Sequence, residues 1–431
     1  MSVLSKFTNK LQDRFLRNVI TLMTGTTLAQ VIGFITIPII TRLYSPEQFG
    51  SYQNFTTLIS VIMVIACLRY EQAIVLPEQK KDAYHLFVLS LIMTFITSAV
   101  VLLLCIIFKV ILISFFKITN ISLIIPVSLF FIGVFQALNY WFIRTQFFKV
   151  LAFSKLIQIT STVILQIIFV FVGTTESGLI YGFILGQIIV TILLYVQQKL
   201  NIQKEFYFSS ISVHGLINQA KKYKKFPLVN AATSLIDNLA AALPTFFFTI
   251  FFGNSITGQF GLAYRVINLP ISLIGTSIAQ VFLPKIAEIV QTQGDIYPIV
   301  LQAIKRMAII SLTILLVLQL SPWLFKLAFG DGWELAGTIA QIMSIAIALR
   351  FVVSPLSSVL IICDKQGILA LWQLMYMLST TIAMLVSLMF QSVLMTVVCL
   401  VISDVGLYGI YLYLIIRTSK QTQFRTKVLG E

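Results

Sequence analysis

The sequence predicts an all-α integral membrane protein with about 12 transmembrane helices in two six-helix bundles around a central cavity. Three observations carry that prediction. The 431 residues are 58% hydrophobic and only 10% charged, and the mean hydropathy of +0.97 exceeds what a soluble surface tolerates. Twelve apolar stretches approach the roughly 20 residues that a helix needs to cross the hydrocarbon. The basic residues fall mainly in alternate connections between those stretches.

In chain order the predicted spans are 19–40, 50–68, 83–108, 119–143, 151–173, 178–198, 227–252, 258–283, 306–328, 336–361, 368–389 and 393–416. Several contain Gly, Pro, Asn or Gln, as expected of helices that pack on one another or face water. With the amino terminus inside, 24 of the 30 Lys and Arg residues lie in inner segments. Among them are Arg69, Arg144 and Lys155, which read as orientation charges. Only Arg42, Lys109, Lys117 and Lys326 lie in outer segments, and Arg265 and Arg350 lie within spans. Omitting or adding one helix would invert every segment downstream, so this asymmetry supports the count and places both termini in the cytoplasm.

Residues 1–18 set Val3, Leu4, Phe7, Leu11 and Phe15 opposite Lys6, Lys10, Asp13, Arg14 and Arg17 at helical spacing. That pattern predicts an amphipathic helix along the inner membrane surface and not a cleavable signal. The first bundle is expected over 19–198, a basic cytoplasmic linker over 199–226, the second bundle over 227–416 and a cytoplasmic tail over 417–431. A weak internal repeat agrees with two halves. "EQFGSYQNF" (47–55) resembles "ITGQFGLAY" (256–264), with Gly50 and Gly258 separated by 208 and Pro77 and Pro284 by 207. Six helices per half would relate the halves by an axis along the membrane normal.

The inventory disfavours an enzyme. Cys67, Cys105, Cys363 and Cys399 lie in apolar runs at no metal-ligand or disulfide-like spacing, and read as small hydrophobes. His85 and His214 are the two histidines, too few for a histidine metal site or to make a hydrolytic triad expected. The net charge of +15 is distributed as loop charge and points to no nucleic acid.

Charges inside spans cost about 2.5–3.5 kcal/mol on insertion scales, so they face protein or water. Asp237 beside Asn238 lies in span 7, Arg265 in span 8, Arg350 in span 10 and Asp404 in span 12. Arg265, in "GLAYRVINLPISLIGTSIAQVFLP" (261–284), offers a permanently charged planar fork suited to phosphate oxygens. Asp237 with its amide neighbour suits Na⁺ or a proton, and Asp404 offers the same chemistry. Arg350 equally suits an internal ion pair or a snorkelling side chain, and Arg42 marks the outer mouth. No other metal site is expected.

Residues 221–289, "KKYKKFPLVNAATSLIDNLAAALPTFFFTIFFGNSITGQFGLAYRVINLPISLIGTSIAQVFLPKIAEI", resemble the start of the second half of Wzx-type oligosaccharide flippases. These belong to the multidrug, oligosaccharidyl-lipid and polysaccharide exporter (MOP) superfamily, which includes the MATE exporters. "TRLYSPEQFGSYQ" (41–53) and "RYEQAIVLPEQKKDA" (69–83) are similar to the corresponding stretches of the first half. The resemblance implies a flippase of the bacterial inner membrane, moving oligosaccharide linked to undecaprenyl diphosphate to the outer leaflet for O-antigen or capsule assembly. It implies a diphosphate site at Arg265, Arg42 and Arg350, and Na⁺ or H⁺ coupling at Asp237, Asn238 and Asp404. The partners implied are the lipid-linked oligosaccharide, the bilayer and the polysaccharide polymerase with its chain-length machinery. The run 19–40 lacks the arginine that lipid II flippases carry in helix 1, which speaks against lipid II as substrate. A drug exporter of the same superfamily is the rival transporter. A membrane polymerase or ligase would need a larger outer loop than the ten or so residues available here.

Overall fold

The computed structural model describes residues 2–116, 121–174, 177–201, 212–292, 294–363 and 365–429. Lys117 and Lys204 lie outside these, as do the side chains of the amphipathic stretch 1–18 and the tail beyond residue 420. Helices α1 (Ser2–Leu43), α2 (Pro46–Ile62), α3 (Lys80–Ile107), α4 (Ile121–Arg144), α5 (Phe148–Phe171) and α6 (Gly178–Asn201) follow in order. The run Ala231–Gln291 is helical except at Gly253 (φ +83°), which divides it into α7 and α8. Helices α9 (Tyr297–Gln319), α10 (Glu334–Val353), α11 (Gln366–Ser387) and α12 (Val393–Leu429) complete the chain.

Ten described stretches are long and apolar enough to cross a membrane. One of them, Phe226–Gly275, spans 50 residues across the break and supplies two crossings. The 17-residue α2 is at the short limit for a spanning helix, and brings the described set to twelve. The protein is a multi-pass membrane protein.

Local chemistry sets several boundaries. At the start of α2 the Gln48 N–H donates to Ser45 Oγ at 3.3 Å and the Ser45 N–H donates to Gln48 Oε1 at 2.8 Å. This reciprocal cap, with Pro46 at the first helical position, fixes the turn after α1. The second span ends as an α-helix at Ile62 and not at 68 as the hydropathy predicts. A 3₁₀ turn at Met63–Ile65 follows, and Leu68 (φ +50°) and Arg69 (φ +63°) are left-handed, a conformation no helix can continue. The start of α2 and the residue after Gly253 are 208 positions apart, in keeping with the repeat. The QFG triplets at 48–50 and 259–261 lie 211 apart, so the second sits about one turn deeper in its helix.

By internal contacts the chain divides into Met1–Ala242 and Leu243–Glu431. The border falls within α7, downstream of the 199–226 segment expected to separate the halves. The reason lies in the helix Val213–Lys222 of that segment, which docks on the first unit. Leu216, Ala220, Tyr223 and Phe226 pack against its core. The Tyr70 hydroxyl donates to the Ala220 carbonyl at 3.3 Å, and the Ser212 N–H donates to His85 Nε2 at 3.4 Å.

Within the first unit, glycines let helices approach closely. A Cβ on Gly25 would lie 2.5 Å from Ala152 Cβ, joining α1 to α5. On α6, a Cβ at Gly182 would meet Gln166 Cγ at 2.5 Å, and one at Gly186 would collide with Thr162 Oγ1. This small-xxx-small stripe brings the backbones of α5 and α6 together, where dispersion replaces the hydrophobic drive absent in lipid. Gln166 donates to the Leu179 carbonyl at 3.0 Å, and the Tyr44 hydroxyl donates to the Gln166 carbonyl at 2.6 Å.

In the second unit the Gly253 break is bridged by the Thr249 and Thr257 hydroxyls, 2.9 Å apart, and by Phe248 on Phe260 with centroids at 4.5 Å. Gln259 on α8 holds the start of α10 with both ends of its amide. Its Nε2 donates to the Gly332 carbonyl at 2.6 Å, and its Oε1 accepts from the Ala336 N–H at 2.9 Å.

Gly186→Ala forces α5 and α6 apart and is expected to destabilise the protein by about 1–3 kcal/mol. Thermal unfolding of the detergent-solubilised protein measures this as a lower midpoint. Gly406→Ala, where a Cβ meets nothing within 4 Å, should leave the midpoint unchanged or slightly raised.

Candidate functional site

Four helices of the second unit place polar and aromatic side chains in one cluster. Helix α8 contributes Tyr264, α10 contributes Arg350 near its carboxyl end, α11 contributes Trp372 and Tyr376, and α12 contributes Asp404 and Tyr408. The pairs 372/376 and 404/408 are four residues apart, so each pair shares one helix face.

Arg350 is the hub. Its Nη1 donates to the Tyr264 hydroxyl at 3.5 Å, and its guanidinium lies 5.8 Å from the Tyr408 ring centroid. Asp404 faces both Arg350 and the Tyr376 hydroxyl. Trp372 stacks on Tyr411 at 4.4 Å and on Tyr376 at 5.4 Å, and its Nε1 donates to the Leu407 carbonyl at 3.1 Å. A permanent cation is thereby held among a carboxylate, hydroxyls and an aromatic face, the company an arginine needs inside a membrane.

The residues singled out by sequence fall in three places. Arg350 and Asp404, given different roles by sequence, meet in this cluster. Arg265 follows Tyr264 on α8, half-buried. A helical step of about 100° turns it away from the face that Tyr264 presents to Arg350. Among the described residues Arg265 has no hydrogen bond and no ion pair. Arg42, Asp237 and Asn238 belong to the first unit. Arg42 is exposed in the last turn of α1. Asp237 is exposed on α7, and Asn238 Nδ2 donates to the Ser234 carbonyl at 2.8 Å, which leaves Oδ1 available to a cation.

Sequence reasoning missed Tyr264, Trp372, Tyr376 and Tyr408. The available signal was the four-residue spacing of Trp372 with Tyr376 and of Asp404 with Tyr408, one pair on each of two successive spans. Among the described residues no three His, Cys, Asp or Glu side chains gather as metal ligands.

This arrangement combines a guanidinium, a carboxylate and aromatic platforms within spanning helices, and comparison with known proteins identifies its setting. A teichuronic acid biosynthesis protein, TuaB of Bacillus subtilis (strain 168), is 24% identical over 153 residues, covering 35% of this chain and 32% of that protein. The match thus spans about a third of the relative's length. Two solved structures share the fold at 14% identity. Lipid II flippase MurJ in an inward closed conformation has a TM-score of 0.72, with 95% of this chain and 92% of that one covered. An inward-facing multidrug resistance MATE family transporter of the MOP superfamily has a TM-score of 0.70, with 93% and 95% covered. The fold is that of the MOP superfamily transporters. The family model for polysaccharide biosynthesis proteins matches residues 39–338, more than half of the chain, and the protein belongs to that family.

Proposed function

We propose that this protein flips oligosaccharide repeat units linked to undecaprenyl diphosphate across the bacterial inner membrane by cation-coupled alternating access. The product serves assembly of a surface polysaccharide such as O-antigen or capsule, and the polymerase with its chain-length machinery acts next. The protein itself makes and breaks no covalent bond. Both termini are cytoplasmic in this reading, as the distribution of lysine and arginine supports.

The observation that carries the reading is Arg265, a guanidinium in a spanning helix without a counter-ion among the described residues, in a chain of the polysaccharide biosynthesis family. Arg350 already has Asp404 and the tyrosine hydroxyls of its cluster around it. Arg265 is therefore the arginine whose charge remains available, and it takes the diphosphate, whose oxygens match the guanidinium fork. Arg350 on α10 supports it as a second cation, and Arg42 meets the headgroup at the outer side. Tyr264, exposed beside Arg265, supplies an aromatic surface to a sugar ring. Asp237 with the Asn238 amide oxygen binds the coupling Na⁺ or H⁺, with Asp404 as the second acidic group.

Arg265→Ala is expected to cut export at least about tenfold, since a charge-assisted contact contributes about 1.5–3 kcal/mol. Mass spectrometry of lipid-linked oligosaccharides, with surface glycan staining, should show accumulated repeat units and lost glycan at normal protein levels. Normal export would remove Arg265 from the mechanism. In cells lacking the gene, unchanged lipid-linked pools accompanied by new drug sensitivity would replace the flippase reading by the drug exporter. Asp237→Asn should abolish dependence of export on an imposed Na⁺ or H⁺ gradient, and an unchanged dependence would move coupling elsewhere.

A further inference from the structure

The connection between α2 and α3, residues 63–79, holds a carboxylate that the reading above does not use. Glu71 lies in the short helix Tyr70–Ala73 and is 1% exposed. Its neighbour in charge is Arg69, with Nη1 3.9 Å from Glu71 Oε1, beyond hydrogen-bond reach. Glu71 Oε2 and Arg69 Nε are both buried and have no hydrogen-bond partner. A buried carboxylate with an orphaned oxygen is costly as an anion and far less so as a protonated acid. The backbone beneath the pair is strained, because Leu68 and Arg69 are consecutive left-handed residues without glycine, and strain of this kind marks segments that change state.

The other ionisable groups do not neutralise Glu71. On its own connection, Cys67 is buried, and its Sγ lies 3.2 Å from Thr94 Oγ1 and donates to the Gly133 carbonyl at 3.3 Å. From α4, Tyr140 faces both Glu71 and Arg69. Arg144 donates to the carbonyls of Ile74, Glu78 and Gln79 at 3.1–3.5 Å. From α3 the buried titratable side chains at this end are Tyr84 and His85, the latter accepting from the Ser212 N–H. The turn Phe226–Asn230, which also packs here, brings no ionisable side chain.

We propose that Glu71 is a proton-binding site that locks the 63–79 connection. With the proton on its carboxyl group the connection stays closed as seen here. When the O–H bond breaks and the proton passes to water on the lysine-rich side, the carboxylate draws water in and the strained segment opens. Burial, opposed by its own backbone N–H and by Arg69, pushes the Glu71 carboxyl from 4.5 up to about 7, so the exchange falls at physiological pH. The sign follows from linkage. An acid whose proton affinity is higher in the folded state stabilises that state at low pH, and the advantage is lost as pH rises from about 4.5 to about 7.

The test uses the full-length protein in liposomes and is independent of any transported substrate. Infrared titration should show one protonated-carboxyl carbonyl band disappearing with a midpoint near neutrality, present in the wild type and absent in Glu71→Gln. Over the same range, hydrogen-exchange protection of residues 63–79, corrected for intrinsic rates, should fall about tenfold in the wild type and stay high in Glu71→Gln. A band that survives in Glu71→Gln, or protection that does not change with pH in the wild type, would overturn the proposal. Should Glu71→Gln fail to fold, Arg69→Asn removes the cation while tolerating the left-handed backbone. The midpoint should then move upward, and an unmoved or lowered midpoint would equally overturn it. None of these outcomes depends on whether the protein is a flippase, which the lipid-linked pools decide separately.

Discussion

Hydrocarbon offers no hydrogen-bond partners, and every polar group along the spans is arranged under that constraint. The commonest solution is local. Ser90, Thr94 and Ser128 donate to carbonyls four residues earlier at 2.7–2.8 Å, so a hydroxyl adds nothing unsatisfied to the helix surface. The rarer solution crosses helices, as where Gln259 fastens α8 to the start of α10. Ser98, Thr380 and Tyr411 leave a neutral hydroxyl unpaired; Arg265 and Glu71 differ from these in carrying ionisable groups without a hydrogen-bond partner, among the described residues, for the guanidinium or for Oε2. The same constraint that makes hydroxyls structurally quiet makes these two residues informative.

Close approach between helices has two bases. The α5–α6 pair depends on absent side chains at Gly182 and Gly186, which let backbone meet backbone. Around the candidate site large rings do this work, with Trp372 ordered between Tyr376, Tyr408 and Tyr411 and its N–H satisfied by a backbone carbonyl. An indole buried this way stiffens the faces of α11 and α12 that present Tyr376 and Asp404 to Arg350. The candidate site is therefore carried by regular helices and not by loops, which favours precise placement of its charges.

Much of the fold was legible because hydropathy and basic-residue placement are one-dimensional signals, and the membrane reads them in one dimension. The spans beginning near residues 83, 119, 151 and 178 correspond closely to α3–α6. What hydropathy cannot register is a backbone turn made of apolar residues, and so it sets the end of α2 inside "MVIACLR", where the chain is still apolar but no longer α-helical. Arg265, Arg350 and Asp404 were visible as misfits in apolar runs. Their grouping was not, because Arg350 and Asp404 lie 54 residues apart in sequence and only helix packing brings them together. Glu71 escaped for the opposite reason: it sits in a connection where a carboxylate looks ordinary, and its burial is a property of the surrounding fold.

A Cβ at Gly253 would touch nothing within 4 Å, so space does not demand glycine there; the positive φ does. The join between α7 and α8 is a single residue, with no loop to absorb a change of length. Loss or gain of one residue between Gly253 and Tyr264 would turn everything beyond it by about 100°. Arg265, or Ala263, would then stand where Tyr264 meets Arg350. The spacing of this junction is thus a phase setting for the whole of α8, and natural variation in the protein should tolerate exchange of side chains along this stretch far better than it tolerates insertion or deletion.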